Sequence, residues 1–579
     1  MDVVFRTPLL LEDPELISRP CSYMDFAVSS SDAKPHKVEI VIEVDEGFCY
    51  HGNLKKEMLS GGIKTSLYDS VWMAQKVQHP LGHSGDDVTI DWGNMYIAVP
   101  KDNEAETNLS YKGFEGRLFL GANLDFGEVT GKKESFLVLA YDDIISIMYF
   151  AHASKGLWAK NGRTIYDAIG DSISQHDDLV KRCEAFDTEL LQRAVKTAGE
   201  GYGLICSLAY RQTIASHKLI EDENGKLIFL SKECFSNGCI GTVDVSYPSV
   251  PLYLLYQPEL VAGMLRPVFH FSSLPVWTFD FAPHDVGRYP YATGQVYSLL
   301  PMEGTFQRSH GARLGELAVY PQYYTYPAGN DVYDEYHQMP LEECGNMLVM
   351  TAAYSLQSGD TSLASQYIGL LEKWCEYLIK HGADPKHELC TDDFAGHIAR
   401  NINLSGKAVM GIASFSIILG LLGKKEEADR YMETAREMAA DVEKRADAGD
   451  HTALVYGDTS GWSLKYNMIW DKIFGTKLFS DGFYKREIEW YISKRNKYGT
   501  PLDIRADYTK SDWIAWAAAM SDTPGEIQSL MDPIALFLKE SPHRVPFSDF
   551  YDTKTAIHRN MQCRTVQGGL YMPILANDK

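Results

Sequence analysis

Two pairs of adjacent carboxylates are placed to do chemistry: Glu342-Glu343 just after Pro340, and Asp392-Asp393 ahead of Ile398. Each pair opens a predicted helix. Neighbouring helical residues point to different faces, so each pair offers one carboxylate to a pocket and one to the scaffold. Two pocket carboxylates from distant parts of the chain can divide acid–base work, one protonating a leaving group and the other activating water. Held about 6.5–9.5 Å apart they leave room for that water, the geometry of an inverting glycosidase. Asp503 is a further candidate, so the catalytic candidates are Glu342, Glu343, Asp393 and Asp503. The same residues also suit helix caps and dipole-favoured anions.

Other side chains could hold a small substrate. Arg505 lies in a mixed-sign run with Asp503, Asp507, Lys510 and Asp512. It can clamp a substrate carboxylate through two parallel hydrogen bonds, or brace its own loop against Asp503 or Asp507. His284, Asp285, Asp392, Asp458 and Lys510 offer polar contacts. Trp277, Trp462 and Trp513 offer flat faces that stack on a sugar or enclose an amino acid. A nucleophile elbow of the G-x-S-x-G type is absent from the sequence. Ser460 and Ser463, with Lys465, lie in a loop rich in acidic and aromatic residues, whereas Ser31-x-x-Lys34 lies in a polar stretch. Cys344 and His397 form a conceivable pair that no spacing supports. There is no Walker A loop, no glycine fingerprint after a strand and no H-E-x-x-H, so neither a cofactor nor a metal is expected, with a calcium or sodium ion on loop carboxylates an alternative that no pattern supports.

The elements that must position these residues follow from periodicity. Long, acidic, aromatic connections alternate with short plain ones such as Leu422-Gly423-Lys424-Lys425. Anchored on Asp244, Asp285, Glu342, Asp393, Asp458 and Asp507, the long ones recur at steps of 41, 57, 51, 65 and 49 residues. That is the length of a helical hairpin with its loops. Six hairpins closing into a ring would bring all six connections to one end, a concave mouth of the kind that binds ligands. The 3.6-residue period predicts helices over 142–158, 165–198, 202–217, 344–356, 362–381, 404–422, 424–444, 464–474, 483–497, 510–520 and 526–538, with less regular ones near 250–265 and 290–300. Many stop at a glycine: Gly359, Gly382, Gly423, Gly475 and Gly499. The first 135 or so residues read instead as strands, over 38–44, 89–99 and 116–122, with 127–133 as the way out. The expectation is a multi-domain β + α chain: a β-sandwich over 1–135, then an (α/α)6 six-hairpin toroid over 136–579.

With 579 residues and a net charge of −23, the chain repels phosphate backbones and anionic membrane surfaces, so neither nucleic acid nor membrane is an expected partner. No apolar run reaches the length of a spanning helix, and the N-terminus lacks a basic start followed by an apolar core. Ten scattered cysteines without a C-x-x-C read as free buried thiols, with Cys234–Cys239 the one conceivable bridge in an exported protein. The expected location is the cytoplasm and the expected partner a small molecule, amino acid or sugar; self-association is left open.

Several long segments carry a family likeness. The runs over 210–212, 231–245, 281–287, 339–347, 391–397, 465–472, 498–505 and 508–513 resemble glutaminase A of fungi and bacteria, and the likeness extends from about Pro8 to Pro573. The resemblance implies an N-terminal β-sandwich, a six-helical-hairpin domain and hydrolysis of L-glutamine to L-glutamate and ammonia. Cys344 stands where serine is expected, so no serine nucleophile is carried over there. On this reading Arg505 holds the substrate carboxylate, and Glu342, Glu343 or Asp393 activates water or Ser460/Ser463. The six-hairpin architecture is shared with inverting glycosidases. That keeps a glycoside hydrolase (Glu342 or Glu343 with Asp393 or Asp503) as an alternative, and a non-catalytic carbohydrate-binding protein as a third.

Overall fold

The computed structural model describes residues 1–52, 56–86, 90–299, 312–313, 332–390, 396–543 and 545–578. The chain divides into two compact units, the first made chiefly of Met1–Phe186 and the second of most of the remainder.

The first unit is built from nine principal strands: β1 (Asp2–Arg6), β2 (Cys21–Val28), β3 (His36–Asp45), β4 (Met58–Lys64), β5 (Tyr68–Gln75), β6 (Asn94–Pro100), β7 (Glu106–Phe114), β8 (Arg117–Val129) and β9 (Lys133–Asp142). One antiparallel sheet runs β1-β2-β9-β6-β5-β4 and a second runs β3-β8-β7. Alternation sorts the side chains. Met95, Ile97 and Val99 of β6 and Leu137 of β9 enter a core shared with Val44, Leu120 and Leu124 of the smaller sheet. Tyr96, Ala98, Val138 and Ala140 point the other way, onto Ile165, Ala168, Ile169 and Ile173 of α1 (Ile165–Ser174). A reciprocal capping box between Thr164 and Asp167 starts that helix.

Two expectations fail here. Residues 127–133 are not an exit: Gly127 takes a left-handed turn (φ 59°) and the chain returns as β9, a central strand, so a boundary at 135/136 crosses that strand. Residues 142–158 are not a helix. Ile144 and Phe150 adopt positive φ (60° and 48°), and the segment forms the short strands Ile147–Tyr149 and His152–Ser154 before the 3-10 turn Leu157–Gly162.

The second unit is helical. In chain order its helices are α2 (His176–Ala215, interrupted at Ala198 and Gly199), α3 (Val243–Tyr256), α4 (Pro258–Ser272), α5 (Pro340–Ser358), α6 (Ile368–His381), α7 (Ile402–Leu421), α8 (Lys425–Ala446), α9 (Ile469–Phe474), α10 (Asp481–Ser493), α11 (Ser511–Ala519), α12 (Pro524–Glu540) and α13 (Met572–Asn577). Short 3-10 turns, Tyr466–Met468 and Thr565–Tyr571, lead into α9 and α13. The predicted irregular helix near 290–300 is instead a short strand, Tyr291–Ala292, followed by turns, with Ser298 at φ 55°.

Burial separates two kinds of helix. α3, α5, α7 and α11 are buried on nearly every side, whereas α8 buries only a stripe: Ala428, Ala435, Met438, Ala439, Val442 and Ala446. The all-round buried elements form an inner series. α3 packs on α5, α5 on α7, α7 on the turn before α9, that turn on α11, α11 on Thr565–Tyr571, and this last turn returns to α3. The series closes on itself, with α2, α4, α6, α8, α10 and α12 alternating between its members in sequence, as the six-hairpin expectation requires. Small residues permit the close approach: a Cβ on Gly411 of α7 would lie 3.3 Å from the Cα of Gly345 on α5. α7 corrects another expectation. It is long and apolar enough to cross a membrane by length and composition (mean hydropathy 1.7), but its residues fill the interior of this unit.

Candidate active site

Each inner element begins where a longer connection ends, and because the outer helices alternate with the inner ones the six starts share one end of the ring. Side chains there join the starts both along the series and across it. Tyr247 of α3 donates its hydroxyl to Asn467 Oδ1 (3.0 Å), and Asn467 Nδ2 donates to Asn403 Oδ1 at the start of α7 (3.1 Å). Tyr466 stacks on Trp513 of α11 (3.9 Å), and Ser511 meets Gln567 (3.3 Å). Helix dipoles and orphan backbone N–H groups therefore favour anions at this end.

The densest cluster spans the starts of α3 and α5. Asp244 is the second residue of α3; Glu342 and Glu343 lie in the first turn of α5, with Pro340 at its first position. The 281–299 connection brings His284 and Asp285 between them. That connection is pinned throughout. Val243 N–H donates to His284 O (2.8 Å), His284 N–H to Gln295 Oε1 (2.7 Å), and the backbone N–H groups of Gly287, Val296 and Tyr297 all donate to the Asp285 carboxylate (2.9, 2.9 and 3.1 Å). Gly287 has φ 154°, and a Cβ there would lie 1.9 Å from Tyr291 O, so only glycine allows this turn.

His284 is 4% exposed and Glu343 0%, so their partners decide their chemistry. His284 Nδ1 meets Asp285 Oδ2 at 3.0 Å, Nε2 lies 3.7 Å from Asp244 Oδ1, and the ring of Tyr297 stacks on the imidazole at 3.9 Å. Burial alone would lower the His284 pKa; the hydrogen bond with Asp285 and the surrounding carboxylates outweigh it and lift it to about 10. Burial, with Asp244 beside it, pushes the Glu343 carboxyl well above its ordinary value. Asn346 Nδ2 donates to Glu343 Oε2 (3.0 Å), while Oε1 finds no hydrogen-bond donor among the described residues. Glu342 is committed differently: it forms a buried ion pair with Lys407 of α7, whose ammonium also donates to Asn346 Oδ1 (2.7 Å) and lies over the Tyr247 ring (4.3 Å). Glu342 is thus tied to the neighbouring inner helix, while Glu343 faces Asp244 and His284.

The remaining candidates are dispersed around the same end. Asp503 is buried and gripped by Arg505, which donates from Nε (3.0 Å) and from a terminal nitrogen (2.5 Å), the loop-bracing arrangement. Lys510 is buried between Asp512 (3.5 Å) and Asp549 (3.2 Å); burial raises the Asp512 carboxyl to about 6 against the pull of Lys510. Trp513 is fully buried under Tyr466. Trp277 is buried among Phe271, Phe281 and Tyr333 and donates to Phe281 O (2.8 Å), so it belongs to the core. Trp462 is buried near Trp490. Asp458 is exposed and closes a turn on Ser460 (2.6 Å), and Asp507 holds Asn496 (3.2 Å) and Lys554 (2.8 Å). Asp392 and Asp393 lie outside the described residues. The Cys344 thiol accepts the Ala282 N–H (3.4 Å), and burial pushes its pKa well up, the opposite of an activated nucleophile. All ten cysteines are free, Cys234 and Cys239 included.

Some members were invisible as site residues in the sequence. Asp549 and the Arg564–Glu233 pair (3.6 Å) sit in connections without a distinguishing pattern, and Glu388, which accepts the Leu341 N–H at the start of α5 (3.1 Å), lies in an ordinary loop. The one usable signal was Asp244, the anchor of the first rich connection.

A closed series of helical hairpins with buried acids at the inner-helix starts, carried with a two-sheet β unit, defines a six-hairpin protein. More narrowly, the chain belongs to the family described as the glutaminase A six helical-hairpin domain, which matches residues 199–574; residues 1–119 and 107–193 match a domain of unknown function, DUF5127. Glutaminase A of Aspergillus oryzae is 27% identical over 617 residues, covering 99% of this chain and 82% of that protein. Two solved structures are similar at longer range. One is a bacterial glucoamylase complexed with acarbose (TM-score 0.44, 10% identity, 96% of this chain and 85% of that one). The other is a rhamnosidase from Klebsiella oxytoca with rhamnose bound (TM-score 0.42, 8% identity, 100% of both chains).

Proposed function

We propose that the chain hydrolyses the side-chain amide of L-glutamine, giving L-glutamate and ammonia, at the inner-helix starts around Asp244, His284 and Glu343. Membership of the glutaminase A family and the name of the Aspergillus oryzae relative support the substrate class. The observation that carries the placement is Glu343, a fully buried carboxyl group in the first turn of an inner helix. Among the described residues it keeps one oxygen free of hydrogen bonds and faces an aspartate and a histidine from two other segments. In the reaction a water oxygen bonds to the amide carbon, the C–N bond breaks, and the nitrogen leaves as ammonia with a proton from the water. With their pKa values raised, His284 and Glu343 hold protons that can polarise the amide and release its nitrogen, and Asp244 beside them is placed to take the proton from water. Helix N-termini favour the negative charge that develops on the amide oxygen.

Ammonia release from L-glutamine, assayed beside a panel of aryl glycosides, tests the reading. Glu343→Gln, nearly isosteric, is expected to lower glutamine turnover at least about 100-fold with the fold retained. Full turnover in that variant removes Glu343 from the mechanism, and glycoside cleavage without glutamine cleavage overturns the substrate.

A further inference from the structure

We propose that Asp244, His284 and Glu343 form a binding site for one divalent transition-metal ion, with Asp285 as the residue that orients the histidine ligand. The inference rests on the position of the proposed active site but not on its substrate.

Four observations support it. One carboxylate oxygen from each acid and one imidazole nitrogen lie within 4.8 Å of one another, all from buried residues. The His284 Nε2–Asp244 Oδ1 separation of 3.7 Å is too long for a hydrogen bond. It is close to the roughly 3.4 Å between two ligand atoms bound tetrahedrally at about 2.1 Å from a zinc ion. Second, the imidazole is oriented as a ligand. Its Nδ1 side is occupied by Asp285, which is itself fixed by three backbone N–H groups, so Nε2 is the nitrogen that faces Asp244 and Glu343. A carboxylate behind a histidine is the usual outer support of a metal-bound imidazole. Third, Glu343 Oε1 is buried without a hydrogen-bond donor among the described residues, while Asn346 fixes Oε2. Fourth, acidic side chains outnumber basic ones in this cluster among the described residues. Three acids surround one imidazole, and Lys407, the neighbouring ammonium, is engaged with Glu342 and Asn346.

The ligands come from three segments: the start of α3, the 281–299 connection and the start of α5. One imidazole with two carboxylates suits zinc or manganese, and three protein ligands leave a position for water. An ion there lowers the pKa of its bound water and polarises a carbonyl oxygen, which is the chemistry amide hydrolysis needs. An alternative trio, Cys239 with His284 and Asp285, also lies within 4.8 Å. It would require the imidazole to give up its Asp285 partner and Asp285 to be shared with its three backbone donors, so it is the weaker site.

The test uses the full chain, stripped with a chelator and titrated by calorimetry with Zn2+, Mn2+ and Ca2+ separately, with elemental analysis of the untreated protein. One ion per chain is expected, with Zn2+ or Mn2+ preferred over Ca2+. His284→Ala and Glu343→Gln should each weaken binding at least about 100-fold, Asp285→Asn about 10–100-fold, and Cys239→Ser should leave it unchanged. Circular dichroism of the ion-free variants separates ligand loss from misfolding. No binding of either transition metal at millimolar concentration overturns the proposal, as does unchanged affinity in folded Glu343→Gln. Loss in Cys239→Ser moves the site to the other trio and also overturns it. Because the readout is ion content, a chain that binds the ion but leaves glutamine intact sinks the substrate reading alone.

Discussion

Lys407→Met tests how far this end of the ring depends on one buried charge pair. Lys407 is wholly buried, as is its partner Glu342. Its stem packs where a Cβ on Gly345 would come within 2.4 Å, and its ammonium is surrounded by Glu342, Asn346 and the Tyr247 ring. Methionine keeps most of the stem and removes the charge. Glu342 is then a buried anion whose remaining neighbours include Glu343, a loss on the order of 3–5 kcal/mol. Unfolding entropy scales at about 2.1 cal/mol/K per residue, or about 0.8 kcal/mol/K for a unit of this size, so Tm falls by about 4–6 °C. Adding Glu342→Gln removes the stranded charge and should restore at least about 2 kcal/mol, because breaking a buried pair costs far more than replacing both partners. The assay is a double-mutant cycle by calorimetry at constant pH. If Lys407→Met melts within 1 °C of the parent, or the double variant is as unstable as the two single losses added together, the pair is not holding the ring as argued.

Two further outcomes follow from the same region. Gly287→Ala must push the backbone away from Tyr291 O and displace His284 and Asp285; turnover should fall about 100-fold, with new protease cleavage in 284–296 at unchanged global Tm. Burial pushes the Glu388 carboxyl from 4.5 up to about 8, with Glu342 adding to the shift and the Leu341 N–H and Lys407 opposing it. Between those values the folded chain keeps a proton that the unfolded chain has released. This group's contribution is therefore complete below pH 4.5 and is lost as pH rises towards 8, by about 1.4 kcal/mol per pH unit. Glu388→Gln should flatten the fall of Tm between pH 5 and 8; an unchanged slope refutes the assignment.

Much of the architecture was legible because period and punctuation are local. The switch from alternation to a 3.6-residue period marked the helical part, and Gly359 and Gly475 do end α5 and α9 in left-handed conformation. The rich connections pointed to the hairpin plan but miscounted it: Asp285 and Glu342 mark one and the same connection, that between α4 and α5, and the one ahead of Thr565–Tyr571 carried no anchor. What failed was equally physical. β9 buries both faces, so its sequence carries no polar alternation to announce a strand, and 142–158 looked helical because positive φ at Ile144 and Phe150 leaves no mark on composition. The site was half visible. Glu343, His284 and Asp285 stood out as paired or adjacent polar residues, but Asp244, His284 and Glu343 lie 40 and 59 residues apart. No spacing rule connects such residues until the ring does. Arg505 shows the converse: its chemistry allowed either a substrate clamp or a loop brace, and its neighbour Asp503 takes it as the brace.

The way the helical series closes has a consequence for synthesis. Tyr202 of α2 donates to Leu570 O and Tyr571 donates to Cys206 O, both at 2.7 Å, across 368 and 365 residues of chain. The last inner element is therefore the keystone, and on the ribosome it emerges after everything it must join. Until then α3 and α11 present apolar flanks to water where Thr565–Tyr571 later fits. Truncation ahead of Thr565 would leave those flanks uncovered and should destabilise the whole helical unit rather than its last turn alone.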